Sequence, residues 1–253
     1  MPGNYTEIRP AAALAEFVEC YWVKRGSSPA IDVLADGCVD FLFDCGDAPQ
    51  ARVIGAMTAP HAVSACARSD IVAVRFRPRG AYPFVRADLA ELTDGAVAFD
   101  DLAASHRWLR DRVFDAAAVG PRLRAIEAWL LANLPRRGDA IDAALTILER
   151  RGGAVRIDEL AGEVGVSRQW LCRGIRERAG LSPKLLARIL RLRAIERVAA
   201  SGSGLAELAQ RFGYCDQAHL ARDVRAIHRR TTRTWLGFHS SKTEPAAAGT
   251  ISA

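Results

Sequence analysis

The chain has no apolar segment that could cross a membrane, although 50% of its 253 residues are hydrophobic. No run approaches the roughly 20 consecutive apolar residues that a spanning helix needs. The first residues, MPGNYTEIRPAAALAEF, lack the basic start and the apolar core of a secretory signal. We therefore expect a cytoplasmic protein that does not contact a membrane, and its cysteines are expected to be reduced thiols.

Motifs that carry enzyme chemistry are also missing. The sequence has no phosphate-binding glycine loop, no His-Glu-x-x-His pair and no Gly-x-Ser-x-Gly turn. Six cysteines are present, but none forms the Cys-x-x-Cys pair from which zinc sites are usually built. The sequence therefore predicts a protein that is not an enzyme, with no metal site and no cofactor.

Positive charge is concentrated in the C-terminal part. Residues 156–239 contain 16 Lys and Arg and 8 Asp and Glu, a net charge of +8, whereas the whole chain carries +6 and the remainder therefore −2. A positive field confined to one part of a protein suits a polyanionic partner such as nucleic acid. The length and the hydrophobic content indicate two domains with ample core.

The segment SRQWLCRGIRERAG, residues 167–180, predicts a short helix with clear boundaries. Ser167 is placed to cap its first turn, and Gly180 supplies the positive φ that ends a helix. At about 100° per residue, Leu171 and Ile175 fall on one apolar side. Surface helices rich in arginine are common, so a single such helix is also compatible with an ordinary solvated face. The polar side lies opposite and carries Gln169, Arg173 and Arg176.

The pattern occurs twice. IDELAGEVGVSRQWLCRGI at 157–175 is repeated as LAELAQRFGYCDQAHLARDV at 205–224, with one residue inserted after the shared glycine. Each copy reads as helix, glycine-containing turn and helix, which is the pattern of a helix-turn-helix unit. Asp216 is the expected N-cap of the second copy. The inner side of that helix carries Leu220, Val224 and Ile227, and its outer side carries Ala218, Arg222 and Arg225.

Another helix is predicted between the two copies, at 182–201. Ser182 and Pro183 open it, and roughly 18 residues at 1.5 Å each give a length of about 27 Å. This length is close to the roughly 34 Å between successive major-groove faces of B-DNA. One chain could therefore set both second helices into adjacent turns of one duplex. The apolar residues at helical spacing are Leu185, Leu186, Ile189, Leu192, Ile195 and Val198.

Over about residues 140–237 the sequence resembles the AraC/XylS transcriptional regulators, through LAGEVGVSRQWLCRGIRERAGLSPKLLARILRLRAIE and LAELAQRFGYCDQAHLARDV. The resemblance implies a bacterial transcription factor that binds double-stranded promoter or operator DNA and is nucleoid-associated when bound. It leaves open a small-molecule effector, contact with RNA polymerase and a homodimer. Arg229 and Thr232 stand where the family usually has a glycine and a proline. A strained helix end is therefore expected at Arg229.

The resemblance implies that the outward residues of the two recognition helices approach DNA. We expect Arg173 and Arg222 to contact base edges, because arginine is the commonest guanine reader. Gln169 and Gln217 are expected to read adenine. The outward residues that complete the surface are the expected phosphate contacts Arg168, Arg176 and Arg225, together with Cys172 and Ala218.

Residues 1–105 predict a β-rich domain, a small barrel or sandwich with a mainly antiparallel sheet. PAAALAEFVECYWV, at 10–23, is expected to form a short helix before the first strand. A helical connector is predicted at 106–138, a tandem helix-turn-helix domain at 139–239 and a disordered tail at 240–253, which together give an α+β fold. The connector helices are equally compatible with a dimer interface.

Within residues 8–105, the phrases FVECYWV, DGCVDFLF and VRFRPRGA resemble a poorly characterised β-rich domain found on some of these regulators. The resemblance implies sensing or dimerisation without implying a ligand. Two arginines and two aromatic residues are the candidates for effector binding. Ion-paired arginines and core aromatics are the alternative interpretation of the same residues. The candidates are Trp22, Arg75, Arg77 and Tyr82.

One alternative function stays open. A metal-dependent alkyl-transfer repair domain is sometimes fused to this type of DNA-binding unit. The N-terminal cysteines could thus serve a DNA-tethered thiol sensor, or a metal-dependent sensor or alkyl-transfer enzyme. Stoichiometric zinc in the purified protein would favour it, whereas buried inert thiols are the simpler interpretation. The cysteines concerned are Cys20, Cys38, Cys45 and Cys66, with His61 nearby.

Overall fold

The chain folds into a β-rich N-terminal domain followed by a helical C-terminal part, which confirms the predicted α+β architecture. Residues 241–253 of the predicted tail lie outside the described residues. The computed structural model describes residues 4–85, 87–102, 107–135, 138–199 and 204–240.

Six strands form one antiparallel sheet in the order β1-β2-β7-β4-β5-β8, and β3 pairs with β6 in a separate two-stranded ribbon. The predicted antiparallel sheet is therefore confirmed. The strands are β1 (Asn4–Ile8), β2 (Val18–Ser28), β3 (Ile31–Val33), β4 (Val39–Asp44), β5 (Gln50–Ile54), β6 (His61–Val63), β7 (Cys66–Phe76) and β8 (Ala96–Ala98).

The short helix predicted at 10–23 is wrong for most of that segment. Only Ala12–Leu14 forms a turn of 3-10 helix, and the chain then enters the long strand β2. The sequence pattern does not predict this strand, because the first half of β2 is buried on both faces. Tyr21 packs into the main core while Cys20 and Trp22 lie in a small cluster on the opposite face. The alternation of apolar and polar residues that marks a half-buried strand is therefore missing.

Eleven helices are present in the described residues, and the longer ones fall in the C-terminal half. They are α1 (Tyr82–Val85), α2 (Phe99–Leu102), α3 (Arg107–Asp115), α4 (Val119–Ala132), α5 (Ala140–Arg150), α6 (Ile157–Glu163), α7 (Arg168–Ala179), α8 (Pro183–Ala199), α9 (Leu205–Arg211), α10 (Gln217–His228) and α11 (Thr232–Ser240). None of them is both long and apolar enough to cross a membrane.

Helices α3 and α4, in the segment predicted as a connector, pack on the sheet. Trp129 of α4 is fully buried, and its ring centroid lies 5.6 Å from that of Phe84 and 6.3 Å from that of Phe41. Arg122 of α4 also donates to Asp70 of β7, with an N–O distance of 2.8 Å. The two helices therefore complete the core of the N-terminal domain.

The N-terminal domain contacts the first helix-turn-helix unit directly. The Tyr82 hydroxyl donates to Glu177 of α7 at 2.8 Å, and the Thr93 hydroxyl donates to the carbonyl of Gly180 at 2.5 Å. A Cβ on Gly180 would lie 2.9 Å from the carbonyl oxygen of Leu89, so the end of α7 sits tightly against this domain.

The same domain also reaches the linker helix and the second unit. Leu186 of α8 packs so closely on the turn at Gly37 that a Cβ there would lie 3.0 Å from the leucine. Asp32 of the β3–β6 ribbon accepts a hydrogen bond from Arg230, just after α10, at 2.8 Å. The sheet domain therefore contacts both DNA-binding units and the helix between them.

Candidate nucleic-acid interface

The first helix-turn-helix unit comprises α6 and α7, with the turn between them at Gly165. That glycine has a φ of +71°, which only glycine adopts at low cost. The Ser167 hydroxyl accepts a hydrogen bond from the backbone N–H of Trp170, and Gly180 ends the helix with a φ of +75°. The cap at each end of α7 therefore lies where the sequence predicts it.

The second unit, α9 and α10, repeats this design with one strained position. Gly213 provides the turn with a φ of +75°, and the Asp216 carboxylate accepts from the backbone N–H of His219 at 2.6 Å. Arg229 ends α10 in the left-handed region, with a φ of +52°. The strained end predicted at this departure from the family pattern is present.

The inner and outer faces of the two recognition helices separate as the helical period predicts. The inner side chains Leu171, Ile175, Leu220, Val224 and Ile227 are all buried. Cys172 is half-buried at the edge of the outer face. The exposed residues of the outer faces are Arg168, Gln169, Arg173, Arg176, Gln217, Ala218, Arg222 and Arg225.

Not every arginine of α7 faces solvent. Arg178 forms ion pairs with Asp139 at 2.5 Å and with Asp142 at 3.0 Å, and its guanidinium lies 5.0 Å from the ring centre of Tyr82. These contacts tie α7 to α5 and to the N-terminal domain. Arg178 therefore has a structural role, although the sequence places it in the same cationic cluster as Arg173.

The outward arginines differ from Arg178 in having little internal pairing. Within the described residues, Arg173, Arg176 and Arg225 make no ion pair. Among the residues that the structure describes, the Arg222 guanidinium donates only to a carbonyl of its own helix at 3.3 Å, and Arg168 forms an exposed pair with Asp158 at 3.2 Å. Exposed pairs of this kind contribute little, so the outer face remains available to an external anion.

One residue of this surface is not among the predicted contacts. Trp170, in the first turn of α7, keeps 38% of its surface exposed, which is unusual for so large an apolar side chain. Its indole N–H is a donor that can serve a phosphate oxygen. At about 100° per residue, Trp170 lies between the apolar side at Leu171 and the polar side at Arg173.

The linker helix α8 has the length and burial that the sequence predicts. Its 17 residues give about 25 Å at 1.5 Å per residue. Leu186, Ile189, Leu192 and Ile195 are buried, while Leu185 and Val198 are half-buried.

The four predicted effector-binding residues do not line one common pocket. Trp22 and Arg75 lie on the outer face of the sheet, where Arg75 is surrounded by the carboxylates of Asp36 and Asp40 at 3.6 and 3.5 Å. Tyr82 contacts α7, as described above. The Arg77 side chain donates to a backbone carbonyl at 2.8 Å and borders a cleft between the domains.

This interdomain cleft has a volume of about 150 Å³. It is lined by Arg77 from the sheet domain, by Glu149 of α5 and by Arg193 of α8. Burial raises the pKa of Glu149 to about 7, although Arg77 and Arg193 oppose the increase. A larger open groove of about 730 Å³ runs along β5 and β8 beside Arg52, Arg110 and Phe114.

The N-terminal cysteines are mostly unsuited to nucleophilic chemistry. Cys20 and Cys38 are buried, and burial raises the pKa of both thiols well above the ordinary value. Burial likewise raises the pKa of Cys45 to about 11, whereas Cys66 is exposed. Across the described residues, no group of His, Cys, Asp and Glu side chains is arranged to hold a metal ion.

Two helix-turn-helix units with exposed cationic faces define a DNA-binding protein. Residues 160–237 match the family model described as a helix-turn-helix domain, and residues 6–98 match the model described as "Domain of unknown function (DUF6597)". The C-terminal part is therefore an AraC-type helix-turn-helix domain, joined to an N-terminal domain of the DUF6597 type. This confirms the resemblance found in the sequence and supports a DNA-binding transcription regulator.

Several solved structures are similar to the chain at low identity. ToxT from Vibrio cholerae O395 has 11% identity and a TM-score of 0.41, with 94% of this chain and 96% of that chain covered. ToxT bound to (E)-4-(8-methylnaphthalen-1-yl)but-3-enoic acid gives 11% identity and a TM-score of 0.42, with 94% and 98% covered. Unsaturated fatty acid bound ToxT from Vibrio cholerae strain SCE256 gives 12% and 0.38, with 92% and 94% covered. No functionally curated protein matches the sequence.

Proposed function

We propose that the protein is a sequence-specific transcription regulator that reads DNA with the outer faces of α7 and α10. The observation that carries the proposal is the repetition of one surface. Both recognition helices bury their apolar side and expose arginines, and three of these, Arg173, Arg176 and Arg225, lack an ion pair within the described residues. Arginines that serve the fold, such as Arg178, are paired with carboxylates.

Base reading and phosphate binding are assigned to different residues of this surface. We infer that Arg173 and Arg222 contact guanine and that Gln169 and Gln217 contact adenine, because these are the pairings that major-groove geometry favours. Cys172 and Ala218 lie beside these residues on α7 and α10, respectively, and would also approach the DNA. The remaining outward arginines, Arg168, Arg176 and Arg225, would bind phosphates and set the register of the protein on the duplex.

The proposal includes control through the N-terminal domain. This domain contacts α7 through Tyr82, packs on α8 at Gly37 and reaches the end of α10 through Asp32. An effector or partner that moves the sheet domain would therefore alter its contacts with both DNA-binding units. Genome-wide DNA capture with the purified full-length protein, with and without candidate small molecules, tests this part.

The variant Arg173→Ala tests the assignment of α7. The substitution is expected to weaken the free energy of binding by about 1–3 kcal/mol on the DNA site that the wild type prefers. It is also expected to relax the preference at one base pair of that site. Arg124→Ala is the matched control, because Arg124 is an exposed arginine of α4 outside the proposed surface. DNA footprinting and binding titrations measure both variants. If Arg173→Ala and Arg124→Ala give the same footprint, affinity and base preference, α7 is not a recognition helix.

A further inference from the structure

A buried carboxylate lies on the inner side of the second recognition helix, next to a proposed base reader. Asp223 follows Arg222 in α10 but is only 7% exposed. Its Oδ1 atom accepts two hydrogen bonds from Arg188 of the linker helix α8, from Nε at 3.0 Å and from Nη2 at 2.8 Å. The two helices are thus joined by a directional charged contact in addition to their apolar packing.

The same carboxylate also binds the turn of the second unit. Its Oδ2 atom accepts from the hydroxyl of Tyr214 at 3.2 Å. Tyr214 is 3% exposed, and its backbone N–H donates to the carbonyl of Ala209 in α9 at 2.9 Å. Arg191, almost one turn after Arg188 in α8, lies over the tyrosine ring at 5.1 Å. Helices α8, α9 and α10 therefore meet at Asp223.

The apolar contacts of α10 do not by themselves fix its rotation about its own axis. Apolar attraction is non-directional, so Leu220 and Val224 would tolerate a small rotation or slide of the helix. Two N–H donors of one planar guanidinium that converge on one carboxylate oxygen are directional, as apolar contacts are not. Because successive residues are about 100° apart, holding Asp223 against Arg188 also determines where Arg222 points.

The first recognition helix is held differently. Its half-buried Arg178 pairs with Asp139 and Asp142 at the start of α5, which precedes the unit. That contact joins α7 to the helix that precedes its unit. The contact between Arg188 and Asp223 instead joins the linker helix to the second unit. It therefore affects how the second unit is oriented relative to the first.

We propose that Asp223 and Arg188 are positioning residues that fix the rotation of α10 relative to α8. They thereby set the spacing at which the second unit reads DNA relative to the first. The inference rests on the proposed function and adds a determinant of specificity that does not touch DNA. Ion pairs of this burial contribute little net stability because desolvation offsets their attraction, so stability alone is a weak account of the pair.

Selection from randomised double-stranded DNA with the full-length protein tests the proposal. The wild type is expected to enrich a two-part site with one preferred spacing. Asp223→Asn and Arg188→Gln are each expected to reduce the preference for that spacing over spacings one base pair longer or shorter, about fivefold or more. Arg188→Lys, which keeps the charge but not the planar pair of N–H donors, is expected to fall between Arg188→Gln and the wild type.

The control is a second arginine–carboxylate contact of the same domain. Glu163 of α6 accepts two hydrogen bonds of 2.9 Å from Arg151, so this pair joins the end of α5 to α6 and not the linker to the second unit. Glu163→Gln is expected to keep the spacing preference of the wild type. Binding is normalised to the folded fraction of each variant, which thermal unfolding gives. If Asp223→Asn does not fold, the comparison of Arg188→Gln with the wild type tests the proposal.

The outcomes distinguish a failure of the positioning role from a failure of the proposed function. If the wild type enriches no two-part site, the proposed function fails. If the wild type enriches such a site but folded Asp223→Asn and Arg188→Gln keep its spacing preference as Glu163→Gln does, the positioning role is overturned while the proposed function stands.

Discussion

Arg193 of the linker helix and Glu19 of strand β2 form a half-buried ion pair that joins the DNA-binding part to the sheet domain. The guanidinium also donates to the carbonyl of Asp36 at 3.1 Å and approaches the sulfur of Cys38 at 3.3 Å. The two partners are 174 residues apart in the chain. The linker helix is therefore fixed to the domain proposed to control it.

We expect Glu19→Gln to destabilise the protein at neutral pH by about 2 kcal/mol, because it leaves the half-buried Arg193 without its carboxylate. Burial raises the pKa of Glu19, but Arg193 opposes this strongly, and the net effect is a lowered pKa. A carboxyl whose pKa is lowered on folding contributes stability above its unfolded pKa of about 4.3 and loses it as the pH falls through the folded pKa.

Urea unfolding of Glu19→Gln and the wild type at about pH 7 and about pH 3 measures this effect. The difference between the two proteins is expected to shrink at the lower pH. Glu16→Gln is the control, since Glu16 is an exposed residue paired with Arg79 at 2.9 Å and is expected to change stability by less than about 1 kcal/mol. If the two variants lower the free energy of unfolding equally at neutral pH, the interdomain pair contributes no more to stability than the exposed pair does.

Glu149, in the cleft between the domains, is expected to have the opposite pH dependence. Burial raises its pKa to about 7, despite the nearby guanidinium groups of Arg77, Arg79 and Arg193. A raised carboxyl pKa means that the folded state binds a proton more tightly than the unfolded state does. Stability is therefore lost as the pH rises from the unfolded pKa toward about 7.

Glu149→Gln removes this ionisation and is expected to raise the free energy of unfolding by on the order of 2 kcal/mol at about pH 8. At about pH 4.5 the variant and the wild type are expected to be nearly equal. Unfolding curves at the two pH values provide the comparison, with Glu91→Gln as an exposed control. A gain of the same size at both pH values would contradict the raised pKa.

The recognition helices are predictable from the sequence because their signals are local. The inner spacing of Leu171 and Ile175 and the caps at Ser167 and Gly180 all lie within one helix and its ends. Gly174 is a partial exception. A Cβ there would lie 2.5 Å from Ile141 of α5, so the residue is set by a neighbour more than 30 positions away.

Long-range contacts account for what the sequence did not predict. Arg178 and Arg173 belong to the same helix and carry the same charge, but Arg178 alone of these two meets Asp139, from an earlier helix. Strand β2 does not show the alternation of apolar and polar residues that marks a strand. Both of its faces are covered by other elements, as at Tyr21 and Trp22. No local pattern marks partners that are brought together only by the complete fold.

A substitution at the strained end of α10 is expected to stabilise the protein. Arg229 adopts a φ of +52°, a conformation that costs roughly 1–2 kcal/mol for residues with a side chain. Part of the gain from glycine is offset by the larger entropy of the unfolded chain, so we expect Arg229→Gly to stabilise by about 0.5–1 kcal/mol. Thermal unfolding should show a melting temperature about 2 °C higher.

Arg233→Gly is the matched control for Arg229→Gly, because Arg233 is exposed within α11. Glycine inside a helix is unfavourable by up to about 1 kcal/mol, so this variant should melt at a lower temperature than the wild type. If both variants lower the melting temperature, the left-handed conformation of Arg229 is not a source of strain.

Arg176 is expected to bind a phosphate and so to affect all DNA sequences alike. It is exposed on the outer face of α7 and makes no ion pair within the described residues. Arg176→Ala removes one neutralised phosphate contact, and each such contact contributes counterion release on binding. The slope of log affinity against log salt concentration should therefore become shallower by about one.

Titrations of Arg176→Ala on the selected site and on unrelated duplexes, each at several salt concentrations, measure this slope. Affinity should fall by a similar factor on every sequence, whereas Arg173→Ala should lose affinity chiefly through one base pair. Arg124→Ala, from the outer surface of α4, should leave the slope unchanged. A loss with Arg176→Ala that is confined to one base position would make Arg176 a base reader and reverse the roles assigned to the two arginines.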